Sequence, residues 1–197
     1  RFHDLFMTSA PDSVEPSQNP VQDAGLEPGL LLRGFRPFDR LPPETAAALE
    51  PLLEFRRYRL GQMVLRADVM PEGLLLLRSG TLRSLASDPI SEEQRTIEQL
   101  QPGALAGWCG LVRDEPCEEL RASSEVELLL LPATAFRDLL DTHEIVRQWF
   151  GIALPAAELY RLLDALHRQE PHWLPALQSW PAIRECARVR SLLPEAG

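Results

Sequence analysis

Short apolar stretches separated by turn residues dominate the middle of the chain, between Leu60 and Leu131. They recur at nearly even intervals, and each is too short to be a helix followed by a turn. Even spacing of this kind is typical of the strands of a small β-barrel. The predicted strand regions are residues 59–68, 73–83, 101–108 and 121–132.

Glycines stand where such a barrel has to bend sharply. Residues that tolerate a positive φ are preferred at these bends, because the chain reverses within a few residues. The glycines in question are Gly61, Gly80, Gly103 and Gly107, and Asp68 occupies a further turn. The pattern therefore predicts a mainly β fold.

The segment before the barrel predicts a helix and one more strand. A helix should begin within residues 41–44, where proline is tolerated in a first turn, and Pro51 should limit it. Residues 55–60 then alternate with a period of two, which predicts a half-buried strand. Its arginines are predicted on the solvent side: Arg56, Arg57 and Arg59.

The segment after the barrel is helical in pattern. Apolar residues recur at helical spacing over residues 132–150, and a second amphipathic helix opens at Pro155 and ends at Pro171. Residues 172–197 predict short helical pieces. The leucines of the second helix either cover one mouth of the barrel or form a homodimer seam: Leu159, Leu162, Leu163 and Leu166.

The first 33 residues predict a disordered or extended tail. Residues 8–28 are rich in Pro, Ser, Asp, Gln and Glu, a composition that cannot repay the entropy of ordering by burial. A short apolar run at residues 29–38 is expected to dock on the barrel. The predicted organisation is a tail (1–33), a barrel domain with flanking helices (34–150) and a helical extension (151–197).

Composition narrows the choice of partners. The chain has 197 residues, and its apolar content of 45% is ample for a hydrophobic core. Its net charge of −9 argues against nucleic acid as a binding partner. No apolar run approaches the roughly 18 residues of a membrane-spanning helix, so we predict no membrane insertion and a cytoplasmic location.

The sequence gives little support for a metal site or for catalytic residues. The three cysteines include no Cys-x-x-Cys pair and are interpreted as ordinary thiols, and the four histidines are scattered. The barrel stretch from Leu60 to Leu131 contains no histidine, which argues against a metal-dependent barrel enzyme. We therefore expect no catalytic residues, no metal and no cofactor.

The order of glycines and strands over residues 34–150 resembles the cyclic-nucleotide-binding domain family. That family is the jelly-roll module of bacterial catabolite regulators, protein kinase A regulatory subunits and gated ion channels. The matching positions are Gly61, Asp68, Gly80 and the segment Gly103-Ala104-Leu105-Ala106-Gly107-Trp108. The resemblance implies a jelly-roll β-barrel with helices at both ends.

The same resemblance implies a ligand site in which two charged side chains are missing. In the family a short helix and loop receive the cyclic phosphate on backbone N–H groups, an arginine pairs with the phosphate, and a glutamate binds the ribose. Here the glutamate position holds Trp108, and the arginine position falls at Pro116 or Cys117. The candidate, degenerate pocket comprises Gly107, Trp108, Cys109, Gly110, Leu111, Arg113, Pro116, Cys117 and Arg121.

Two points about this pocket stay open in the sequence. Trp108 either fills it as core or offers a stacking face, and Arg113 or Arg121 could supply the missing cation. The loss of two charge-assisted contacts should weaken cyclic-nucleotide binding by roughly a hundredfold or more. Four carboxylates bracketing the place of the phosphate should weaken it further: Asp114, Glu115, Glu118 and Glu119.

The function that these features favour is a non-catalytic regulatory or interaction domain of a larger protein. Local sequence texture further resembles the N-terminal barrel of some cyanobacterial peptidase-containing ABC exporters, which implies a parent that secretes peptides or proteins. Its partners would be downstream domains of the same polypeptide or another protein. The alternative is a working sensor of a cyclic nucleotide or another small anion, with a non-standard pocket.

Overall fold

Residues 30–192 are described by the computed structural model of this chain. Most of the predicted tail, residues 1–29, therefore lies outside the described residues. Eight strands form two four-stranded antiparallel sheets, in the orders β1-β8-β3-β6 and β2-β7-β4-β5. The strands are β1 (Glu54–Tyr58), β2 (Met63–Leu65), β3 (Gly73–Ser79), β4 (Leu82–Ser87), β5 (Gln94–Leu100), β6 (Leu105–Ala106), β7 (Glu119–Ala122) and β8 (Val126–Pro132).

The described helices lie before, within and after the barrel strands. They are α1 (Leu30–Arg33), α2 (Pro43–Leu49), α3 (Trp108–Arg113), α4 (Ala133–Thr142), α5 (Glu144–Ile152), α6 (Ala156–Gln169), α7 (Leu174–Gln178) and α8 (Trp180–Leu192). This arrangement confirms the predicted fold class, a jelly-roll barrel with helices at both ends. None of these helices is both long enough and apolar enough to cross a bilayer.

The leucine runs of β3 and β8 are buried on both of their faces. Leu75 and Leu130 contact the barrel interior, whereas Leu74 and Leu131 belong to a second cluster under α1, α4 and α5. Because side chains alternate along a strand, only a strand covered on both faces can be leucine at every position. The helices therefore form a layer on the outside of the first sheet.

One strand, β5, is mostly polar and does not show the hydrophobic pattern that predicts the other strands. β5 reads Gln-Arg-Thr-Ile-Glu-Gln-Leu and pairs with β4 at the end of the second sheet, with Ile97 as its one fully buried side chain. An edge strand buries little apolar surface, so its sequence carries little of the signal that predicts strands.

The N-terminal apolar run docks on the barrel as predicted. Leu32, Phe35 and Phe38 are buried in the cluster beneath the helices. Residues 30–33 form α1 and do not extend the predicted tail. The predicted start of α2 within residues 41–44 and its limit near Pro51 are both confirmed, since the chain passes from Leu49 into a short 3-10 turn.

Two helices replace the single helical segment predicted after the barrel. His143 has an extended backbone conformation, and it separates α4 from α5. The next helix, α6, lies between Pro155 and Pro171 as predicted and packs on β4 and β5.

The leucines of α6 do not share one exposed face. Leu163 is buried against the chain's own barrel together with Ile97, whereas Leu162 is 55% exposed. The homodimer remains a prediction, but Leu163 is occupied by an intrachain contact.

Arg56 does not lie on the solvent side, contrary to the prediction. Its neighbour Arg57 is exposed, and because consecutive strand residues face opposite ways, Arg56 turns inward. It lines a cavity of about 170 Å³, and its Nη2 is 2.8 Å from carboxylate oxygens of both Glu54 and Glu72.

The predicted glycine bends are confirmed by a positive φ at all four positions: Gly61, Gly80, Gly103 and Gly107. At Gly80, φ is +83° and an added Cβ would overlap the carbonyl oxygen of Glu125. At Gly61, φ is +85° but no atom lies within 4 Å of such a Cβ. The two glycines thus have similar backbone conformations and differ in the space that is available to a side chain.

This difference gives a matched pair of variants. We expect Gly61→Ala to lower the free energy of unfolding by about 1 kcal/mol, the cost of a left-handed backbone for alanine. Gly80→Ala should cost about 2–3 kcal/mol, because the clash with the Glu125 carbonyl adds to that strain. Urea unfolding of both variants measures the difference, and equal losses would contradict the clash.

Candidate functional site

The segment between β6 and β7, residues 107–118, contains most of the candidate residues and is called the cassette. It begins at Gly107, continues through α3 and leaves the helix at Asp114, which has a left-handed backbone with φ of 58°. Gly107 also has a positive φ, and an added Cβ would lie 3.0 Å from the carbonyl oxygen of Gly73. At Gly110 a Cβ would lie 2.9 Å from Pro71. The cassette is therefore packed tightly on the loop before β3.

Trp108 is a core residue and not a stacking platform. It is 5% exposed, and its ring centroid lies 5.3 Å from Phe150 and 6.4 Å from Trp149, both of α5. Leu111 is buried in the same cluster. The core interpretation of Trp108 is confirmed, and neither side chain is available to a ligand.

Glu118 holds the entry of the cassette from inside. Its side chain is buried, and its carboxylate accepts a hydrogen bond from the Gly107 N–H at 2.7 Å. Burial raises the pKa of Glu118 to about 7, the Gly107 hydrogen bond opposes that shift, and the like charge of Glu98 adds to it. The sequence placed Glu118 only among the carboxylates around the pocket and missed this contact.

Glu98, whose charge acts on Glu118, also contacts α8, the last described helix. Glu98 accepts two hydrogen bonds from Arg184 of α8, at 3.3 and 3.1 Å. Ser84 pairs with Glu98 across the sheet and is buried, and its hydroxyl has no partner among the described residues. At this end of the barrel, polar side chains of β4 and β5 therefore lie next to the helices that cover the second sheet.

Trp180 anchors that cover. It is 2% exposed, and its indole N–H donates to the Ile97 carbonyl at 2.8 Å. Tyr160 of α6 packs edge-on against it at 5.1 Å between ring centroids. The helices α6 to α8 thus form one buried cluster with Ile97.

Arg113 is tied to α6 and not to an anion. Its Nε donates to Glu158 Oε1 at 3.0 Å, and its Nη2 lies 3.4 Å from Oε2. Cys109 donates its S–H to the same Oε2 at 3.7 Å. One carboxylate of α6 therefore joins two residues of the cassette.

A second set of contacts ties the same helix to the end of the cassette. Arg161 donates to the Pro116 carbonyl at 2.9 Å and to Glu115 at 3.0 Å. Between the cassette and α6 lies an open groove of about 600 Å³. Its charged lining balances: Arg113, Arg161 and Arg168 face Glu115, Glu158 and Asp164. An uncompensated positive charge, which an anion would need, is therefore lacking in this lining.

Arg121 does not join the cassette. It lies on β7 opposite Met63 and Arg83, and its Nη1 is 3.5 Å from the Gly61 carbonyl oxygen. The structure thus brings together Cys109, Arg113 and Cys117 around the groove, and Arg161 ties the Pro116 carbonyl to α6. Arg121 belongs to a different part of the barrel.

Three of the four carboxylates expected to repel a phosphate have other partners. Asp114 lies 3.6 Å from Arg137, Glu115 pairs with Arg161, and Glu119 accepts from Gln94 at 2.5 Å. Only Glu118 is turned into the site. Repulsion by a ring of free carboxylates is therefore replaced by one buried carboxylate bound to Gly107.

The residues that the sequence missed lie mostly outside the barrel. Glu158, Arg161 and Trp180 are on helices that follow it, and no local pattern shows which barrel residue each will reach. Within residues 30–192, no cluster of three or more His, Cys, Asp or Glu side chains could hold a metal ion.

Comparisons with known proteins agree with the architecture. The sequence model described as "Cyclic nucleotide-binding domain" matches residues 55–143. No protein of curated function matches the sequence. A putative cyclic nucleotide-binding protein from Geobacter metallireducens is similar in structure, with a TM-score of 0.54 at 22% identity, over 70% of this chain and 99% of that chain.

Two protein kinase A regulators share the fold at lower identity. The regulatory domain from Toxoplasma gondii, solved with cAMP, gives a TM-score of 0.55 at 14% identity, over 61% of this chain and 46% of that chain. The regulatory subunit of a cAMP-independent protein kinase A from Trypanosoma brucei gives 0.52 at 15% identity, over 62% and 45%. This chain therefore spans about half the length of each of these regulators.

Proposed function

Because residues 55–143 form a domain of the cyclic-nucleotide-binding type, we propose that this domain regulates a larger protein without binding cAMP or cGMP in the usual way. Domains of this type are regulatory and not catalytic. The proposed module acts by holding a partner or a neighbouring domain, and its ligand site is degenerate.

The observation that carries the proposal is the buried contact between Glu118 and Gly107. In the pattern that the chain resembles, backbone N–H groups of the cassette receive the cyclic phosphate. Here the Gly107 N–H is taken by the Glu118 carboxylate at 2.7 Å. A phosphate would have to displace this buried carboxyl group from the Gly107 N–H, so the lost hydrogen bond opposes binding. Whenever the carboxyl is ionised, Coulomb repulsion opposes binding as well.

The cations near the cassette support the same conclusion. Arg113 is bound by Glu158 and Arg161 by Glu115. A phosphate would have to break one of these pairs before it gained a guanidinium. The position of the phosphate-binding arginine falls at Pro116 or Cys117, and neither side chain carries a positive charge. The Pro116 carbonyl accepts a hydrogen bond from Arg161.

The similarity to a cAMP-independent kinase regulator is compatible with this proposal. A barrel of this fold serves as part of a regulator in that protein without dependence on cAMP. For this chain the regulated partner would be a downstream domain of the same polypeptide or a separate protein.

Calorimetric titration of the purified chain with cAMP, cGMP and a cyclic dinucleotide tests the proposal. We expect no measurable heat of binding at ligand concentrations near 1 mM, which corresponds to a binding free energy weaker than about −4 kcal/mol. Binding at micromolar concentration would contradict a degenerate site.

Two variants identify the residue responsible if heat is observed. Arg113→Ala removes the cassette guanidinium and frees Glu158, whereas Arg121→Ala changes a cation on β7 outside the cassette. Binding that is lost in Arg113→Ala alone would assign a sensor function to the groove. Binding lost in Arg121→Ala alone would place the anion on the outer part of the second sheet.

A working small-anion sensor is the second candidate function. It is favoured by the open groove of about 600 Å³, which three arginines line. Each of them pairs with a carboxylate, so this sensor would bind by exchanging one ion pair for another. The Arg113→Ala titration distinguishes it from the degenerate module.

The parent protein that we propose is an ABC exporter for peptides or proteins, with this domain on the cytoplasmic side of the membrane. The support is the local sequence texture that resembles the N-terminal barrel of some cyanobacterial exporters. The ATPase and peptidase activities would belong to other domains of that parent. A full-length protein that lacked both domains would contradict this part of the proposal.

A further inference from the structure

Two arginines lie side by side on the second sheet, apart from the cassette. Arg83 of β4 and Arg121 of β7 are directly opposite each other in the antiparallel register. Residues in this relation point to the same face of a sheet, with Cβ atoms about 5 Å apart. Leu120 and Ala122, on either side of Arg121, are buried in the barrel interior. Both arginines therefore lie on the outer face of the sheet.

Neither arginine has a counter-charge. Among the side chains that the structure describes, no carboxylate oxygen lies within 4.0 Å of a nitrogen of Arg83 or Arg121. By contrast, Arg57 of β1 lies opposite Glu127 of β8 and pairs with it at 2.9 Å. Like charges directly opposite each other destabilise a sheet. An anion bound between Arg83 and Arg121 would relieve their repulsion.

Buried polar atoms at this place lack a partner. The Nε atoms of Arg83 and Arg121 are buried and have no hydrogen-bond partner among the described residues, and the same holds for Oγ of Ser123. Ser123 stays next to β4, because its N–H donates to the Thr81 carbonyl at 2.8 Å. The great majority of buried polar atoms in proteins are paired. Three unpaired ones on adjacent strands, beside two positive charges, indicate an acceptor that comes from outside the chain.

The two arginines occupy the middle of a row that crosses all four strands of the sheet. Met63 of β2 lies opposite Arg121, and Gln99 of β5 lies opposite Arg83. Gln99 is exposed, so its amide can donate to a ligand that both guanidiniums hold. The carboxylate two residues before Arg121 on β7, that of Glu119, accepts a hydrogen bond from β5 at 2.5 Å. The centre of the row therefore has a net positive charge.

We propose that Arg83 and Arg121 together bind one phosphate group of charge −2, free or as a monoester, on the outer face of the second sheet. A guanidinium donates two parallel N–H bonds to the oxygens of such a tetrahedral anion, and two guanidiniums match its two charges. A cyclic phosphodiester has a single charge, so it should bind here more weakly. This site lies outside the cassette and does not depend on whether the barrel binds a nucleotide.

The net charge of the whole chain does not prevent such binding. The chain carries a charge of −9, which repels an anion at long range. At an ionic strength of about 0.1 M, charges farther away than about 10 Å are largely screened, whereas a guanidinium in contact with the ligand is not. Binding at this ionic strength therefore reports the local pair of arginines.

Titration with glycerol phosphate, followed by NMR of the arginine Nε–H groups, tests the proposal on the whole chain. At pH 7 this monoester is mostly dianionic, because its second pKa is about 6. We expect the Nε–H signals of Arg83 and Arg121 to shift together and to saturate with a Kd on the order of 1 mM. Inorganic phosphate should shift the same two signals, which separates the phosphate group from the rest of the ester.

Three variants with the same change in net charge locate the site. Arg83→Gln and Arg121→Gln each remove one charge-assisted contact, so each should weaken binding by roughly tenfold or more. Arg57→Gln removes one positive charge from β1, where Glu127 already pairs with it, and should change the Kd by less than about twofold. Backbone amide spectra of the free variants check that each of them folds.

Four other results would overturn the proposal. Equal weakening in all three variants would mean that binding follows the overall charge and not this pair. Nε–H signals that do not move at about 20 mM ligand would show that water alone solvates the two arginines. Shifts confined to Arg113 and Arg161 would place the phosphate in the groove beside α6, in support of the small-anion sensor. Shifts of equal size with cAMP at Arg83 and Arg121 would contradict the selection of a dianion.

Discussion

Replacing Trp180 by alanine is expected to lower the free energy of unfolding by about 3–5 kcal/mol, the range for truncating a buried large aromatic side chain. Trp180 is 2% exposed and packs on Tyr160. The substitution opens a large cavity and also leaves the Ile97 carbonyl without its donor. Urea unfolding measures the loss.

Two companion variants show which part of the indole matters. Trp180→Phe keeps most of the packing but loses the N–H, so it should cost about 1–3 kcal/mol for the unpaired Ile97 carbonyl. Trp173→Ala changes a half-buried tryptophan close by and should cost roughly 1 kcal/mol. If Trp180→Ala unfolded like the parent chain, α8 could not be docked on the barrel.

Replacing Glu118 by glutamine is expected to stabilise the protein above neutral pH. Burial raises the pKa of Glu118 to about 7 in the folded chain, from 4.5. Between these values the unfolded chain has already lost the proton that the folded chain retains. The parent chain therefore loses stability as pH rises from about 4.5 to about 7, by roughly 3 kcal/mol in all.

Glutamine removes this titration but keeps an oxygen that can accept from the Gly107 N–H. The variant should therefore show no such fall, and at pH 8 it should be more stable than the parent by roughly 2–3 kcal/mol. Urea unfolding at several pH values from 4.5 to 8.5 measures the effect.

The neighbouring variant Glu119→Gln is the matched control. Glu119 is half-buried and accepts from Gln94, so its replacement should leave the pH dependence of the parent in place. A parent chain whose stability is flat between pH 4.5 and 7 would contradict the buried, protonated state of Glu118. So would a Glu118→Gln variant that keeps the parent's slope.

The two variants test two separate buried contacts. Trp180 secures the helical cover on β5, and Glu118 fills the entry of the cassette from within. Glu98 connects them, since it binds Arg184 of α8 and adds to the raised pKa of Glu118.

Much of the fold could be predicted because it follows from short-range patterns. The glycine bends, the strand at residues 55–60 and the helix between Pro155 and Pro171 each depend on a few neighbouring residues. β5 could not be predicted in this way, because its polar sequence forms a strand through pairing with β4. The inward turn of Arg56 was missed although the alternation of strand residues could have revealed it.

The site was less accessible to sequence reasoning. The sequence left Trp108 open between core and stacking face, and its burial against Phe150 decided for core. Glu118 and Glu119 are adjacent and chemically identical in the sequence. Glu118 is buried against Gly107, whereas Glu119 accepts a hydrogen bond from Gln94. The direction in which each side chain points at the start of β7 determines this difference.

The sequence by itself determined the barrel and its bends, because periodicity and residue identity are local properties. Only the tertiary structure decided which side chains fill the space that remains. Glu118 meets Gly107, Glu158 meets Cys109 and Arg113, and Trp180 meets Ile97 across long sequence separations. Such contacts depend on how sheets and helices pack, and packing is set by the whole chain at once.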